Sequence, residues 1–330
     1  MNPFAAAGRR GMALFALQNA PALLFAVLLA AFALLSDRFL TPANFVNIVI
    51  QAAHVGIIAI GMTFVLLIGG IDLSVGANMY VCAAVLGLFL KDLPLVVAFP
   101  LVALVGLVFG AVNAWFITRL RVAAFITTLS TLFIGRGIAL YFSGSKMVGF
   151  SPAVLSLGRA SYLGVPSAIW AFVVVFVVAF VALGQTTFGR QIYAVGADPD
   201  AAAKAGINVR RIVFSVYCIA GVCAAVGGLV SLSQVAVASS TFGYQKEFPV
   251  IAAAVLGGTS LFGGRGGVLG TVFGAVLIQT VENGLVMIDA DPYIYPLVIS
   301  VIIFIAVFID SSRTAILERL ERRQIRVERA

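Results

Sequence analysis

The sequence predicts an all-α fold, a polytopic membrane helix bundle of about ten transmembrane helices. Three observations predict it: apolar runs recur along the whole chain, charge is scarce, and the few cations favour alternate connections. Of the 330 residues, 62% are hydrophobic and 10% charged, with mean hydropathy +1.12. Soluble domains run about 45–50% apolar and about 25% charged. A spanning helix takes roughly 20 apolar residues, so ten of them use about 200 and leave only short connections. The whole chain, 1–330, therefore reads as one transmembrane domain.

The first span, 12–35, follows Arg9-Arg10. It is too long for a signal peptide's apolar region of about 7–15 residues and shows no small-residue cleavage site, so it is expected to stay. The remaining spans are 45–68, 77–90, 95–117, 123–142, 167–184, 212–236, 249–262, 267–287 and 294–309. Their runs are continuously apolar, which suits helices and not the alternating strands of a barrel. Spans 77–90 and 249–262 are short for a crossing and are expected to be tilted into the interior, broken or re-entrant.

Lys and Arg are retained on the cytoplasmic side. With the N-terminus inside and one crossing per span, 15 of the 21 cations fall inside and five outside: Arg38, Lys91, Lys146, Arg159 and Lys246. Arg136 lies within a span. Both termini are then cytosolic, and the net charge of +8 faces anionic lipid and a cytosolic partner, not nucleic acid. The tail 311–330 mixes Arg with Glu and reads as a short surface helix.

Covalent chemistry finds no support. Cys82, Cys218 and Cys223 lie in apolar runs without paired spacing, as buried thiols do. No G-x-x-x-x-G-K-[ST] occurs, so this chain does not cradle ATP. Residues Gly263 to Gly267 invite a dinucleotide motif, but Leu269 stands where its last glycine is needed; a tight cytosolic turn is expected.

A few polar residues sit in the spans. His54, beside Gln51, has no acidic neighbour and suits a hydrogen bond within the bundle or to a polyhydroxylated solute. Asp72 is placed to cap the start of span 77–90. Arg136 and Glu282 are costly inside a bilayer, about 2.5–3.5 kcal/mol each on insertion scales; either they pair across the bundle near an outer mouth, or Arg136 snorkels outward alone while Glu282 reaches water. With Gln51, His54, Gln279 and Asn283 they are the candidate pathway residues. Neutral donors and acceptors suit a sugar's hydroxyls, yet the same residues also hold membrane helices together.

The polar segment 189–211 carries a helix specified at both ends, between Ala197 and Ile207. Asp198 can cap it, Pro199 fits its first position, and Asp200 and Lys204 suit its dipole. Gly206 can close it in the left-handed conformation, with Ile207 folding back. So short a helix is marginal in water, which suits either a docking element or a well-capped connector.

Asp200-Ala201-Ala202 followed by Gly206 resembles the front half of the "EAA" loop of ABC importer permeases. The usual Ile-x-Leu-Pro ending is absent, the stretch reading Val216-Tyr217-Cys218-Ile219, as in the ribose-type monosaccharide branch. Residues Gly69 to Gly76, GGIDLSVG, resemble that branch's signature throughout. Residues 124–137 resemble its "PAFI-x-TL…RG" stretch, with Ala123 where Pro is common. GRQIYAVG (189–196) and GGTSLFGG (257–264) resemble its other two blocks, and the likeness covers residues 44–310. GGIDLSVG and GGTSLFGG also echo each other at four of eight positions, marking two equivalent cytosolic-end breaks at Gly69, Gly70, Asp72, Ser74 and Gly76 and at Gly257, Gly258, Gly263 and Gly264.

The resemblance implies a bacterial inner-membrane permease with three partners: an ABC ATPase subunit, an extracytoplasmic sugar-binding protein and a second permease copy, identical or related. Gly189, Arg190, Asp198, Pro199, Asp200, Ala201, Ala202, Lys204 and Gly206 would couple it to the ATPase, which alone would hold ATP and Mg²⁺. The alternative is an ion-coupled secondary transporter of a small polar solute, for which Glu282 is the best carboxylate.

Overall fold

The computed structural model describes residues 20–302 together with 304, 305 and 308. The start of span 12–35 and the tail 311–330 lie outside the described residues. Six described helices are long and apolar enough to cross a membrane: α2 (Pro42–Leu67), α4 (Leu95–Arg119), α5 (Ala124–Ser143), α7 (Ser167–Gln185), α10 (Val209–Val235) and α12 (Val268–Met287). The other apolar runs form shorter helices: α1 (Ala20–Leu35), α3 (Val75–Phe89), α11 (Glu247–Leu256) and α13 (Pro292–Ile302). Span 249–262 is corrected here, because its helix begins at Glu247 and stops at Leu256, leaving 257–262 as turn. Between the long helices lie α6 (Pro152–Arg159), α8 (Thr187–Ala197) and α9 (Pro199–Lys204).

Residues 46–279 form one compact unit. Its centre is a glycine-to-glycine contact between α4 and α10. A β-carbon on Gly221 would overlap the Gly106 carbonyl, and one on Gly110 the Tyr217 carbonyl. Lipid gives helices no hydrophobic reason to associate, so close backbone approach through small residues supplies the dispersion contact instead. Asn78 of α3 donates to the Gly221 carbonyl (3.0 Å), fastening a third helix to this contact.

The 144–166 connection folds into small paired pieces. Strand β1 (Val148–Gly149) pairs antiparallel with β4 (Val237–Ala238), Val148 opposite Ala238. Strands β2 (Ser161–Tyr162) and β3 (Val165–Pro166) form a hairpin.

Helices α2 and α11 stop in the same way. The amides of Gly70 and Gly69 return to Val65 and Leu66 (2.9 and 2.8 Å); those of Thr259 and Gly258 return to Ala254 and Val255 (3.0 and 2.8 Å). Gly69 (φ 71°) and Gly258 (φ 86°) take the left-handed conformation that this closure needs. The echo between the two sequence blocks is thus a repeated helix stop.

The second unit comprises residues 20–45 and the described residues from 280 on. There Asn44 donates its Nδ2 to Asn283 Oδ1 and to the Phe39 carbonyl, both at 2.9 Å. Asn283 is therefore engaged in holding α2 to α12. Helix α12 closes on Asp289 in the left-handed region (φ 53°), with Ala290 returning its amide to Leu285 (3.0 Å). Asp289→Gly is expected to stabilise this end by about 0.5 kcal/mol, because glycine reaches that conformation without the Cβ clash. A rise in thermal midpoint of the detergent-solubilised protein checks it.

Candidate functional site

The 186–211 segment holds three consecutively capped helix starts. Thr186 accepts from the Gly189 amide (3.2 Å) at the head of α8. Asp198 accepts from the amides of Asp200 and Ala201 (both 2.9 Å) at the head of α9, with Pro199 in the first turn. Asn208 accepts from Arg211 (3.0 Å) at the head of α10. The starts of α3, α4, α5 and α7 lack a side-chain cap.

Helix α9 closes as expected: Gly206 (φ 84°) returns its amide to Ala203 and Ile207 to Ala202, both at 3.0 Å. Asp200, Ala201, Lys204 and Gly206 are exposed, and Ala202 is turned inward. Arg190 is exposed, whereas Gly189 is buried where α7 turns into α8; a β-carbon there would overlap the Leu183 carbonyl. Helix α8 was not foreseen in the sequence. Its start signal, Thr186 three residues ahead of Gly189, is nevertheless present.

The C-terminal end of α8 meets two other turns at a joint made of backbone. A β-carbon on Gly196 would overlap the Leu67 carbonyl and lie 2.7 Å from the Gly264 nitrogen. One on Gly263 would lie 2.7 Å from the Gly196 carbonyl oxygen and 3.0 Å from the Gly69 nitrogen. The Gly264 amide donates to Leu67 (2.9 Å). Tyr193 of α8 adds one side-chain tie, donating to the Gly266 carbonyl at 2.9 Å. Burial raises the Tyr193 phenol above its ordinary pKa, which keeps it a donor. Three of the sequence blocks, 69–76, 189–196 and 257–264, therefore converge here.

From this joint the 69–76 segment runs into the bundle. The cap expected of Asp72 at the start of α3 is not made. Asp72 Oδ1 accepts from the Ser74 amide (2.8 Å) and hydroxyl (2.5 Å), closing a turn one step before the helix. Asn113 of α4 donates to the Ser74 hydroxyl (2.8 Å) and accepts from Thr131 of α5 (2.7 Å). All four side chains are buried and hydrogen-bonded to one another.

The far end, Gly76, meets the 236–248 connection. One crossing per span puts Gly76 and the 236–248 connection at opposite membrane faces, yet their backbones touch. A β-carbon on Gly76 would overlap the Gly243 carbonyl and lie 2.9 Å from the Glu247 carboxylate. The reason is helix length. At 1.5 Å per residue α3 is about 22 Å long and α11 about 15 Å, each less than a hydrocarbon core of about 30 Å. Both begin inside the bundle.

Arg136 of α5 enters the same place. Its guanidinium donates to the carbonyls of Ser240 (2.9 Å) and Phe242 (3.4 Å), and lies 5.8 Å from the Tyr80 ring centre and 5.0 Å from that of Tyr244. The acid in its field is Glu247, where the sequence suggested Glu282. Glu282 is half-buried on α12. Sequence reasoning missed Glu247 because counting spans by length put it in an outer connection; an acid at the head of an apolar helix, where the dipole favours it, was the available signal.

The remaining pathway candidates cluster on α2 and α12. Gln279 Nε2 donates to Gln51 Oε1 (2.9 Å), and His54 lies one turn along α2 from Gln51. Gln279 Oε1 is buried without a hydrogen-bond partner among the described residues, and the buried His54 ring has the Gln51 backbone carbonyl one turn before it.

Residues 44–308 match the family described as branched-chain amino acid transport system / permease component. The ribose import permease protein of Bacillus subtilis is 38% identical over 293 residues, covering 88% of this chain and 91% of its own length. That of Haemophilus influenzae is 36% identical, covering 86% and 90%. The D-allose transport system permease protein of Escherichia coli is 34% identical, covering 87% and 89%. No solved structure matches the chain.

Proposed function

The chain belongs to the family of transport-system permease components just described, and from that premise we propose that it is the membrane-spanning subunit of an ABC importer for a monosaccharide or similar small polyol. The family takes its name from amino-acid transport, but the ribose and allose permeases resemble this chain over nearly all their length, which favours a sugar. The Gln279 Oε1 atom, unpartnered among the described residues, supports a neutral, hydroxyl-bearing solute, which offers hydrogen bonds and no counter-charge.

The protein is a multi-pass membrane protein of the inner membrane. Ten crossings with both termini cytosolic, and the 186–211 segment on the cytosolic side, fit its distribution of Lys and Arg. A separate ATPase holding ATP and Mg²⁺ drives it; an extracytoplasmic binding protein delivers solute; a second permease copy completes the pathway. The observation that carries the ATPase reading is α9: a six-residue helix, exposed and closed at both ends, in a connection between two spanning helices. Its shape is fixed before any partner arrives, so little entropy is lost on docking.

The test is uptake of D-ribose, D-allose and D-galactose into proteoliposomes holding the permease, its ATPase and its binding protein. ATP inside the ATPase-accessible compartment is expected to drive uptake of at least one sugar. Uptake that ignores ATP and follows an ion gradient would replace this reading with secondary transport.

A further inference from the structure

We propose that Tyr193 is a positioning residue for energy coupling. Its hydroxyl, held on the Gly266 carbonyl, makes α12 follow α8 and carries a pull on α9 to the helix pair that bears Gln51 and Gln279. The proposal rests on the reading that an ATPase grips α9, and deepens it by assigning the bond through which that grip reaches the bundle.

Helices α8 and α9 meet without a loose residue between them. Asp198 ends α8, its amide returning to Ala194 (3.2 Å). The same residue begins α9, its carbonyl accepting from Ala202 (3.0 Å) and its carboxylate from the amides of Asp200 and Ala201. A force on α9 therefore falls on α8.

The joint between α8 and the 257–267 turn treats push and pull differently. Its contacts at Gly196, Gly263 and Gly264 are backbone against backbone and resist approach. Against separation they do little, because a gap of about 0.5–1 Å already forfeits a quarter to a half of the dispersion attraction. The Gly264 amide donates to Leu67 of α2, not to α8. Among the described residues, the one hydrogen bond from α8 to this turn is that of the half-buried Tyr193 to the Gly266 carbonyl, 2.9 Å. It is the bond that makes the turn follow when α8 is drawn away.

Beyond Gly266 the path enters two spanning helices. A β-carbon on Gly266 (φ 128°) would lie 2.5 Å from the Thr259 Cα, so the turn is packed main chain to main chain and moves as a piece. The next carbonyl, Gly267, accepts the Thr271 amide (3.3 Å) in the first turn of α12. Thr271 and Thr63 of α2, both fully buried, share a hydroxyl hydrogen bond of 2.6 Å. Two turns further along α12, Gln279 donates to Gln51 of α2 (2.9 Å). The pair that carries the pathway candidates is thus tied at two levels, and Tyr193 connects its near end to α8.

The readout is the coupling ratio, sugar taken up per ATP hydrolysed, in proteoliposomes holding the permease, its ATPase and its binding protein. The sugar is whichever of D-ribose, D-allose and D-galactose the wild type imports. Tyr193→Phe deletes the hydroxyl and keeps the ring; the ratio is expected to fall about fivefold, the order that one hydrogen bond carries. p-Aminophenylalanine at position 193 puts a donor back on the same ring and is expected to restore the ratio. Thr271→Val cuts the onward tie while Thr63 keeps the Ala59 carbonyl, and is expected to lower the ratio as much. It stays informative should Tyr193→Phe fail to fold, and thermal midpoints report folding. Links in one series do not add, so the double variant is expected to be no worse than the weaker single. Uptake and hydrolysis that fall in step, or a ratio unmoved in the folded variants, overturn this role. Coupled wild-type uptake with unmoved variants sinks only Tyr193, whereas wild-type uptake that ignores ATP sinks the importer reading itself.

Discussion

Gly206→Asp is expected to bring ATP-driven uptake and solute-stimulated ATP hydrolysis down at least tenfold while the permease still inserts and folds. Gly206 closes α9 at φ 84°, where a β-carbon is strained even though it would meet no neighbour. The added carboxylate also sits at the C-terminal, negative end of the helix, which disfavours it. Both effects fall on the exposed face that we propose the ATPase grips, and neither reaches a buried residue. Gly206→Asn separates them. Asparagine tolerates the left-handed conformation and carries no charge, so it is expected to keep most of the uptake. Uptake and hydrolysis measured on the same proteoliposomes decide it; a Gly206→Asp protein that transports normally removes α9 from the coupling.

The largest effect on folding is expected from Gly221→Val. Its new β-carbon would overlap the Gly106 carbonyl and press on the Gly110 amide at 3.0 Å, so α4 must move away from α10. Even ordinary overpacking among side chains costs about 1–3 kcal/mol, and here the obstacle is backbone, which cannot rotate aside. The same shift pulls the Gly221 carbonyl from Asn78. The yield of monodisperse protein by fluorescence-detected size exclusion is expected to fall below about a tenth of wild type. Gly137→Ala is the comparison: nothing lies within 4 Å of its added carbon, and its yield is expected to stay unchanged.

These contrasts show which features were legible in the sequence. The long spans were, because a run of apolar residues at spanning length has one stable solution in lipid. So was α9, whose Asp198, Pro199 and Gly206 each act within four residues of where they stand. What escaped reading depends on distant partners. The pairing of Val148 with Ala238 needs two connections to meet, and neither carries a strong strand pattern. The depth of Gly76 and Glu247 escaped because hydropathy measures the length of a run, not the level at which it begins. Arg136 stands out in the sequence as a charge within a span, but its surroundings come from a segment some hundred residues away, which periodicity cannot supply.

The stretch from Leu67 to Gly76 meets α8 at Gly196 at one end and Glu247 at the other. Between these ends, contact passes through main chain at Gly196, Leu67, Gly263 and Gly69, then along a turn clamped by Asp72, Ser74 and Asn113. No freely rotating side chain lies in that series to absorb a displacement by changing rotamer. A linkage built this way has no backlash: a displacement of α8 has to be taken up by main chain, from the end of α2 to the start of α3.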